Sequence, residues 1–81
     1  MARITLSSHL KPYTGGETEL RLDVGNVRQL FQALEERYPE LRDHLEVAVA
    51  VSIDGEIYQD ALLQPIRRDS DVILITKIAG G

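Results

Sequence analysis

The sequence predicts an α+β domain: a mixed sheet of about five strands packed on one main helix. Three observations predict it. Apolar residues alternate with a period of two near the start of the chain and again after Glu46. Between these runs, from Val27 to Tyr38, the apolar period lengthens to that of a helix. The last apolar run, Val72-Ile73-Leu74-Ile75, has no polar position at all, the pattern of a strand in the middle of a sheet with both faces covered.

From Ala2 to Leu10 the residues Ala2, Ile4, Leu6, Ser8 and Leu10 face one way and Arg3, Thr5, Ser7 and His9 the other, which predicts a first strand. Lys11-Pro12-Tyr13-Thr14-Gly15-Gly16 is turn-forming, and a second strand follows in which Leu20, Leu22 and Val24 oppose Glu19, Arg21 and Asp23. Val27, Leu30, Phe31, Leu34 and Tyr38 then fall on one helical face. Asn26 is a good N-cap and Gln29 is placed to reach back as in a capping box, while Pro39 ends the helix. Residues 40–46 are polar and hold at most a short helical turn. Val47, Val49, Val51 and Ile53 alternate with Ala48, Ala50 and Ser52 up to Asp54-Gly55, a hairpin signal, after which Ile57-Tyr58 return as a short strand. Residues 59–70 read as an irregular connection with a turn at Asp69-Ser70. A central last strand beside the first, with the helix crossing between the two halves, satisfies the right-handed crossover preference. One helix leaves one face of such a sheet open to a partner.

Composition narrows the function. Eighty-one residues with 43% hydrophobic content suit one domain spanning residues 1–81 with a single core. The chain has no cysteine, so it has neither disulfides nor a thiol nucleophile. A net charge of -4 and few aromatic residues argue against general phosphate attraction and base stacking, so no nucleic-acid partner is expected. No window reaches the roughly 18 consecutive apolar residues of a membrane span, and residues 1–4 do not open a signal peptide. The expectation is a soluble, cytoplasmic protein without a membrane partner.

Candidate chemistry is sparse. Gly15-Gly16 lies between strands and lacks the Gly-Lys-Ser/Thr continuation of a phosphate-binding loop. His9 and His44 sit on different elements without partners at metal-ligand spacing, so no metal site is expected. Glu35-Glu36 and Asp69 with Asp71 read as a solvated helix face and as turn formers rather than acid/base pairs. The informative feature is the ending, Gly80-Gly81, which follows the last apolar run after a short Thr76-Lys77-Ile78-Ala79 bridge. Residues without side chains make a narrow, flexible tail that fits another protein's active site. Its terminal carboxylate is a poor acyl donor until activated, typically as a mixed anhydride with AMP. Once activated it is open to attack by an amine or by sulfur.

The order hairpin, helix, strand pair and last strand, ending in Ala79-Gly80-Gly81, resembles the ubiquitin-like β-grasp fold. More closely, the chain resembles the MoaD/ThiS family of sulfur-carrier proteins over essentially its whole length. The most specific part is Pro65-Ile66-Arg67-Arg68-Asp69-Ser70-Asp71-Val72 leading to Ile78-Ala79-Gly80-Gly81, which is similar to the family's proline, acidic turn, apolar strand and terminal Gly-Gly.

The resemblance implies a carrier, not an enzyme. Gly81 would be adenylated by an E1-like adenylyltransferase using ATP, converted to a thiocarboxylate by a sulfur donor, and inserted into a sulfur-accepting enzyme. No bound cofactor is implied. Length and the absence of cysteine fit the small subunit of molybdopterin synthase, which would make the acceptor that synthase's large subunit and the pathway molybdenum-cofactor synthesis. Carriers for thiamin, cysteine or tRNA thiolation share the pattern, as does a ubiquitin-like modifier forming isopeptides through Gly81. By position, partner binding falls to Ile66 and Ile75 on the open sheet face and to Lys77 and Ile78 at the root of the tail, with Ala79 and Gly80 keeping it thin. Three positions differ from the family pattern: Ser7 stands where an aromatic is often found, Ser70 replaces a turn glycine, and Thr76-Lys77 replaces a proline-containing segment.

Overall fold

The computed structural model describes residues 1–77, with the backbone alone for Glu46. Five strands form one sheet: β1 (Ala2–Leu6), β2 (Glu19–Leu22), β3 (Val49–Ile53), β4 (Glu56–Tyr58) and β5 (Asp71–Thr76), in the spatial order β2-β1-β5-β3-β4. The helices are α1 (Lys11–Thr14), α2 (Val27–Arg37) and α3 (Leu45–Ala48), with 3-10 turns at Ser8–Leu10 and Pro39–Leu41. β5 lies parallel to β1 and antiparallel to β3, and the other pairs are antiparallel, so the predicted mixed sheet with its last strand in the centre is what the chain forms.

Local chemistry accounts for most boundaries. Asn26 caps α2 as expected, its Oδ1 accepting from the Gln29 amide at 2.8 Å. The Gln29 side chain does reach back, but it accepts from the Gly25 amide at 2.7 Å, one residue before the cap. The first two helical amides are satisfied from outside the helix, Val27 by the carbonyl of Gln64 and Arg28 by that of Leu62. The connection from residue 59 to 66, irregular by pattern, therefore serves as a backbone cap for α2. At the other end the Tyr38 hydroxyl donates to Glu17 at 2.8 Å and ties the helix to the β1–β2 connection. Burial and that carboxylate together push the Tyr38 phenol above its usual range. Asp54 and Gly55 both adopt positive φ, 49° and 92°, the geometry that a two-residue hairpin with right-handed strand twist requires.

Four expectations are corrected. β1 stops at Leu6 because the Ser7 hydroxyl accepts from the His9 amide and starts a 3-10 turn, and Pro12 then favours the helix α1; Leu10 still reaches the core, but from a helical turn. Val47 belongs to α3 and is exposed, so β3 begins at Val49. The polar 40–46 segment hides two core leucines, Leu41 and Leu45, both fully buried. Finally, β5 is central without being covered on both faces. Val72 and Leu74 are fully buried under α2, whereas Ile73 on the opposite face is 41% exposed.

The core sits between α2 and the inner sheet face. It is built from Ile4, Leu30, Leu34, Leu41, Leu45, Val51, Val72 and Leu74, all nearly inaccessible to solvent. None of the described helices is long and apolar enough to cross a membrane. Leu41→Ala is expected to cost about 2–5 kcal/mol in urea unfolding and to lower Tm by roughly 10 °C or more. Replacing its exposed neighbour, Arg42→Ala, should change stability by no more than about 0.5 kcal/mol.

Candidate functional site: the strand that carries the tail

The tail residues Ile78, Ala79, Gly80 and Gly81 lie outside the described residues, but the strand leading to them is fixed at both ends. Its start is clamped by Asp54 of the β3–β4 turn. One carboxylate oxygen of Asp54 accepts from the Asp71 amide at 2.9 Å, the other from the Ser70 hydroxyl at 2.9 Å, and the Asp54 amide donates to the Asp71 carbonyl at 2.9 Å. The Ser70 oxygen also accepts from the Arg67 amide at 3.0 Å, closing the turn that enters β5. Ser70 is 2% exposed and outside the positive-φ region, so this turn uses a buried hydroxyl where a glycine would offer only backbone freedom. The bonds from the Asp71 amide and the Ser70 hydroxyl hold the Asp54 carboxyl below its ordinary 3.8.

At the other end, the Lys77 amide donates to the Ala48 carbonyl at 2.7 Å, continuing the β5–β3 ladder one residue past the strand. The Lys77 ammonium meets Asp60 at 2.6 Å, so this lysine is engaged by the protein rather than presented as an open charge.

The outer sheet face offers a surface beside this strand. The registers align Glu19, Thr5, Ile73, Ser52 and Ile57 in one row across all five strands, with Ala50 and Ile75 paired in the next row toward the tail. Ile57 is 53% exposed and Ile73 41%, and Ile75 is half-buried. Arg3 borders the strip, 3.9 Å from Glu19 and 3.8 Å from Asp71. Of the residues assigned to partner binding by position, Ile75 lies on this face. Ile66 does not: it is 5% exposed and packed in the core, because its amide donates to the Gly25 carbonyl and Pro65 bridges to Asn26, drawing the segment against α2. Ile57 and Ile73 are the exposed apolar residues that the sequence reading missed. For Ile73 the signal was the absence of any polar position in Val72–Ile75.

His9 and His44, distant in sequence, line one cleft of about 190 Å³ with Ser7, Tyr13, Ile75 and Thr76. The Tyr13 and His44 rings lie 4.3 Å apart between centroids, and the Ser7 hydroxyl is 3.2 Å from His9 Nδ1. Among the described residues no group of three or more histidine, cysteine or acidic side chains could hold a metal ion.

A family model described as the ThiS family matches residues 4–81, from the first strand to the terminal glycine. The chain belongs to the ThiS family. It is thus a member of the MoaD/ThiS-like sulfur-carrier and ubiquitin-like superfamily, small carrier proteins with the β-grasp fold rather than catalysts. Solved structures share its fold. A chain of the Amycolatopsis orientalis BexX/CysO complex superposes with a TM-score of 0.83 at 17% identity, covering 100% of both chains. SAMP1 from Haloferax volcanii gives 0.76 at 22% identity, covering 99% of this chain and 98% of that one. A chain of the complex of subunits 1 and 2 of the molybdopterin-converting factor from Helicobacter pylori gives 0.67 at 15% identity, covering 99% and 97%. No curated protein sequence matches this ThiS-family chain significantly.

The clamp at the start of β5 has a measurable signature. Ser70→Ala is expected to lower stability by about 1 kcal/mol, or roughly 4–8 °C in Tm. Because the Asp54 pKa is depressed on folding, its contribution is present above the ordinary carboxylate value and lost as pH falls through the folded-state value. Asp54→Asn should therefore be less stable than wild type at pH 7, and the difference should shrink as unfolding is measured from about pH 4 downward.

Proposed function

We propose that this chain is a sulfur carrier whose Gly81 carboxylate is adenylated by an E1-like adenylyltransferase using ATP, then converted to a thiocarboxylate by a sulfur donor. The observation that carries the reading is that the family match extends through the terminal Gly80-Gly81. It is supported by a tail-bearing strand fixed at both ends beside an exposed apolar strip. The activated carboxyl needs a sulfur nucleophile from elsewhere, since the chain has no cysteine. Thiocarboxylate formation then replaces one Gly81 oxygen by sulfur, with AMP leaving.

The pathway reading is broader than molybdopterin synthesis. Likeness to a molybdopterin-converting-factor subunit supports that acceptor, but the likeness to CysO is greater and the family model is that of ThiS, which favours the wider set of carriers. A second reading, a protein modifier forming isopeptides through Gly81, is supported by the likeness to SAMP1 proteins, one of them described as a small archaeal modifier protein. The fate of Gly81 separates the two. Docking falls to Ile57, Ile73 and Ile75, whose exposure on one face beside the tail-bearing strand is suited to an apolar partner surface.

Intact mass after incubation with ATP, an E1-like enzyme and a sulfur donor is expected to rise by the difference between sulfur and oxygen, located by fragmentation at Gly81. Deleting Gly81 should abolish the shift. A ladder of heavier lysine conjugates without thiocarboxylate would sink the carrier reading in favour of the modifier. Ile73→Lys is expected to weaken binding to the activating enzyme by about tenfold, equivalent to about 1.4 kcal/mol. Its Tm should stay within a few degrees of wild type, because Ile73 is outside the core.

A further inference from the structure

We propose that the cleft holding His9, Tyr13 and His44 anchors a carboxylate side chain, an aspartate or glutamate, of the protein that docks on the open sheet face. The identity of that protein as an activating enzyme rests on the carrier reading above; the preference of the cleft for a carboxylate does not.

The fold builds the cleft from elements far apart in the chain. His9 lies in the 3-10 turn that follows β1, Tyr13 in α1 and His44 just before α3, and Ile75 and Thr76 of β5 line the cleft with them. The Ser7 amide donates to the Leu74 carbonyl at 3.0 Å, which joins the turn to β5. Ile75 belongs to both surfaces, since it pairs with Ala50 on the open face and also lines the cleft. A partner seated on the apolar strip is therefore already beside the cleft.

Size sets the scale of the occupant. At about 190 Å³ the cleft exceeds the roughly 150 Å³ of a cavity that admits a benzene ring, and falls short of the roughly 300–1,000 Å³ of pockets that enclose drug-sized ligands. It takes one side chain.

Charge sets the kind of occupant. The chain carries 13 acidic residues and a net charge of -4, yet among the described side chains no carboxylate lines this cleft, whereas both histidines do. Asp43, next to His44 in sequence, is exposed and not part of the lining. Lys11, between His9 and Tyr13 in the chain, is exposed and has no ion pair among the described residues. On a surface with a surplus of acids, a cleft without them and with both histidines is complementary to an anion.

The hydrogen-bonding groups agree. The Ser7 hydroxyl oxygen accepts from the His9 amide at 3.3 Å and lies 3.2 Å from His9 Nδ1. With that hydroxyl donating to Nδ1, a neutral His9 ring carries its proton on Nε2, and a charged ring carries one there too, so Nε2 donates in both states. His44 is half-buried, with its ring centroid 4.3 Å from that of Tyr13. Neither its ring nitrogens nor the Tyr13 hydroxyl has a hydrogen-bond partner among the described residues. Half-buried donors without a partner are best satisfied by an ionised acceptor, whose hydrogen bonds are the stronger ones.

The test is calorimetric binding of the E1-like adenylyltransferase to His9→Gln, His9→Glu and His44→Glu, with Ile73→Lys reporting on the open face. His9→Gln keeps a side-chain donor and should bind within about twofold of wild type, whereas His9→Glu and His44→Glu should each raise Kd about tenfold. His9 is exposed, so His9→Glu should keep a near wild-type Tm even if His44→Glu, at a half-buried position, fails to fold. Wild-type Kd in His9→Glu together with weakened binding by Ile73→Lys overturns the anchor. Equal losses in His9→Gln and His9→Glu mean an uncharged occupant and overturn it as well. A dimer of the chain alone that His9→Glu dissociates gives the cleft to a second copy and overturns the assignment to a different protein. Absence of binding by the wild-type chain, or undiminished binding by Ile73→Lys, overturns the docking of that enzyme on the open face. The cleft is then decided without any enzyme. Acetate titrated against chloride at equal ionic strength should shift the His9 and His44 ring resonances in NMR spectra of the free chain, and shifts no larger than those with chloride overturn the carboxylate preference.

Discussion

The central place of β5 is the constraint on which the rest of the molecule depends. Its inner residues, Val72 and Leu74, are fully buried, and its backbone bonds to β1 on one side and β3 on the other. A last strand inserted between the first and the third joins the two ends of the chain into one sheet. The N-terminal hairpin and the β3–β4 hairpin have no direct pairing and meet only through it. Burial of the strand's inner face and its two hydrogen-bonded ladders therefore hold together both the core and the platform from which the tail departs.

Stability and function share this strand without competing. Val72 and Leu74 enter the core while Ile73 and Ile75 face outward, so one strand supplies packing on one side and an apolar strip on the other. Period-two geometry allows this separation, because a register fixed by the inner face also fixes the outer one. The two ends are treated differently. The start is closed by a buried hydroxyl and a carboxylate bridging two backbone turns, whereas at the far end the Lys77 amide bonds to Ala48 and its ammonium meets an exposed carboxylate.

Much of this was legible in the residues. The helix was readable because its apolar spacing, the Asn26 cap and the Pro39 stop are all local, and the β3–β4 hairpin because Asp54-Gly55 is a turn whose geometry is set by those two residues. The candidate site was legible only as an ending. Ile66 was placed on the open face by its position in the family pattern, and nothing local signals that Pro65 would bridge to Asn26 and draw the segment inward. Leu41 and Leu45 were missed because a helical turn of mostly polar residues buries two positions as effectively as an amphipathic helix does.

By itself the sequence determined the main helix, the succession of strands along the chain and the terminal Gly80-Gly81, since periodicity, caps and turn residues act over a few positions and need no distant partner. Tertiary structure alone decided what joins elements far apart in the chain. Ser70 meets Asp54 across 16 residues and Lys77 meets Asp60 across 17, pairings that no local spacing announces. It also decided which face of the apolar run Val72–Ile75 stays open, because an isoleucine looks the same in sequence whether a helix covers it or solvent does.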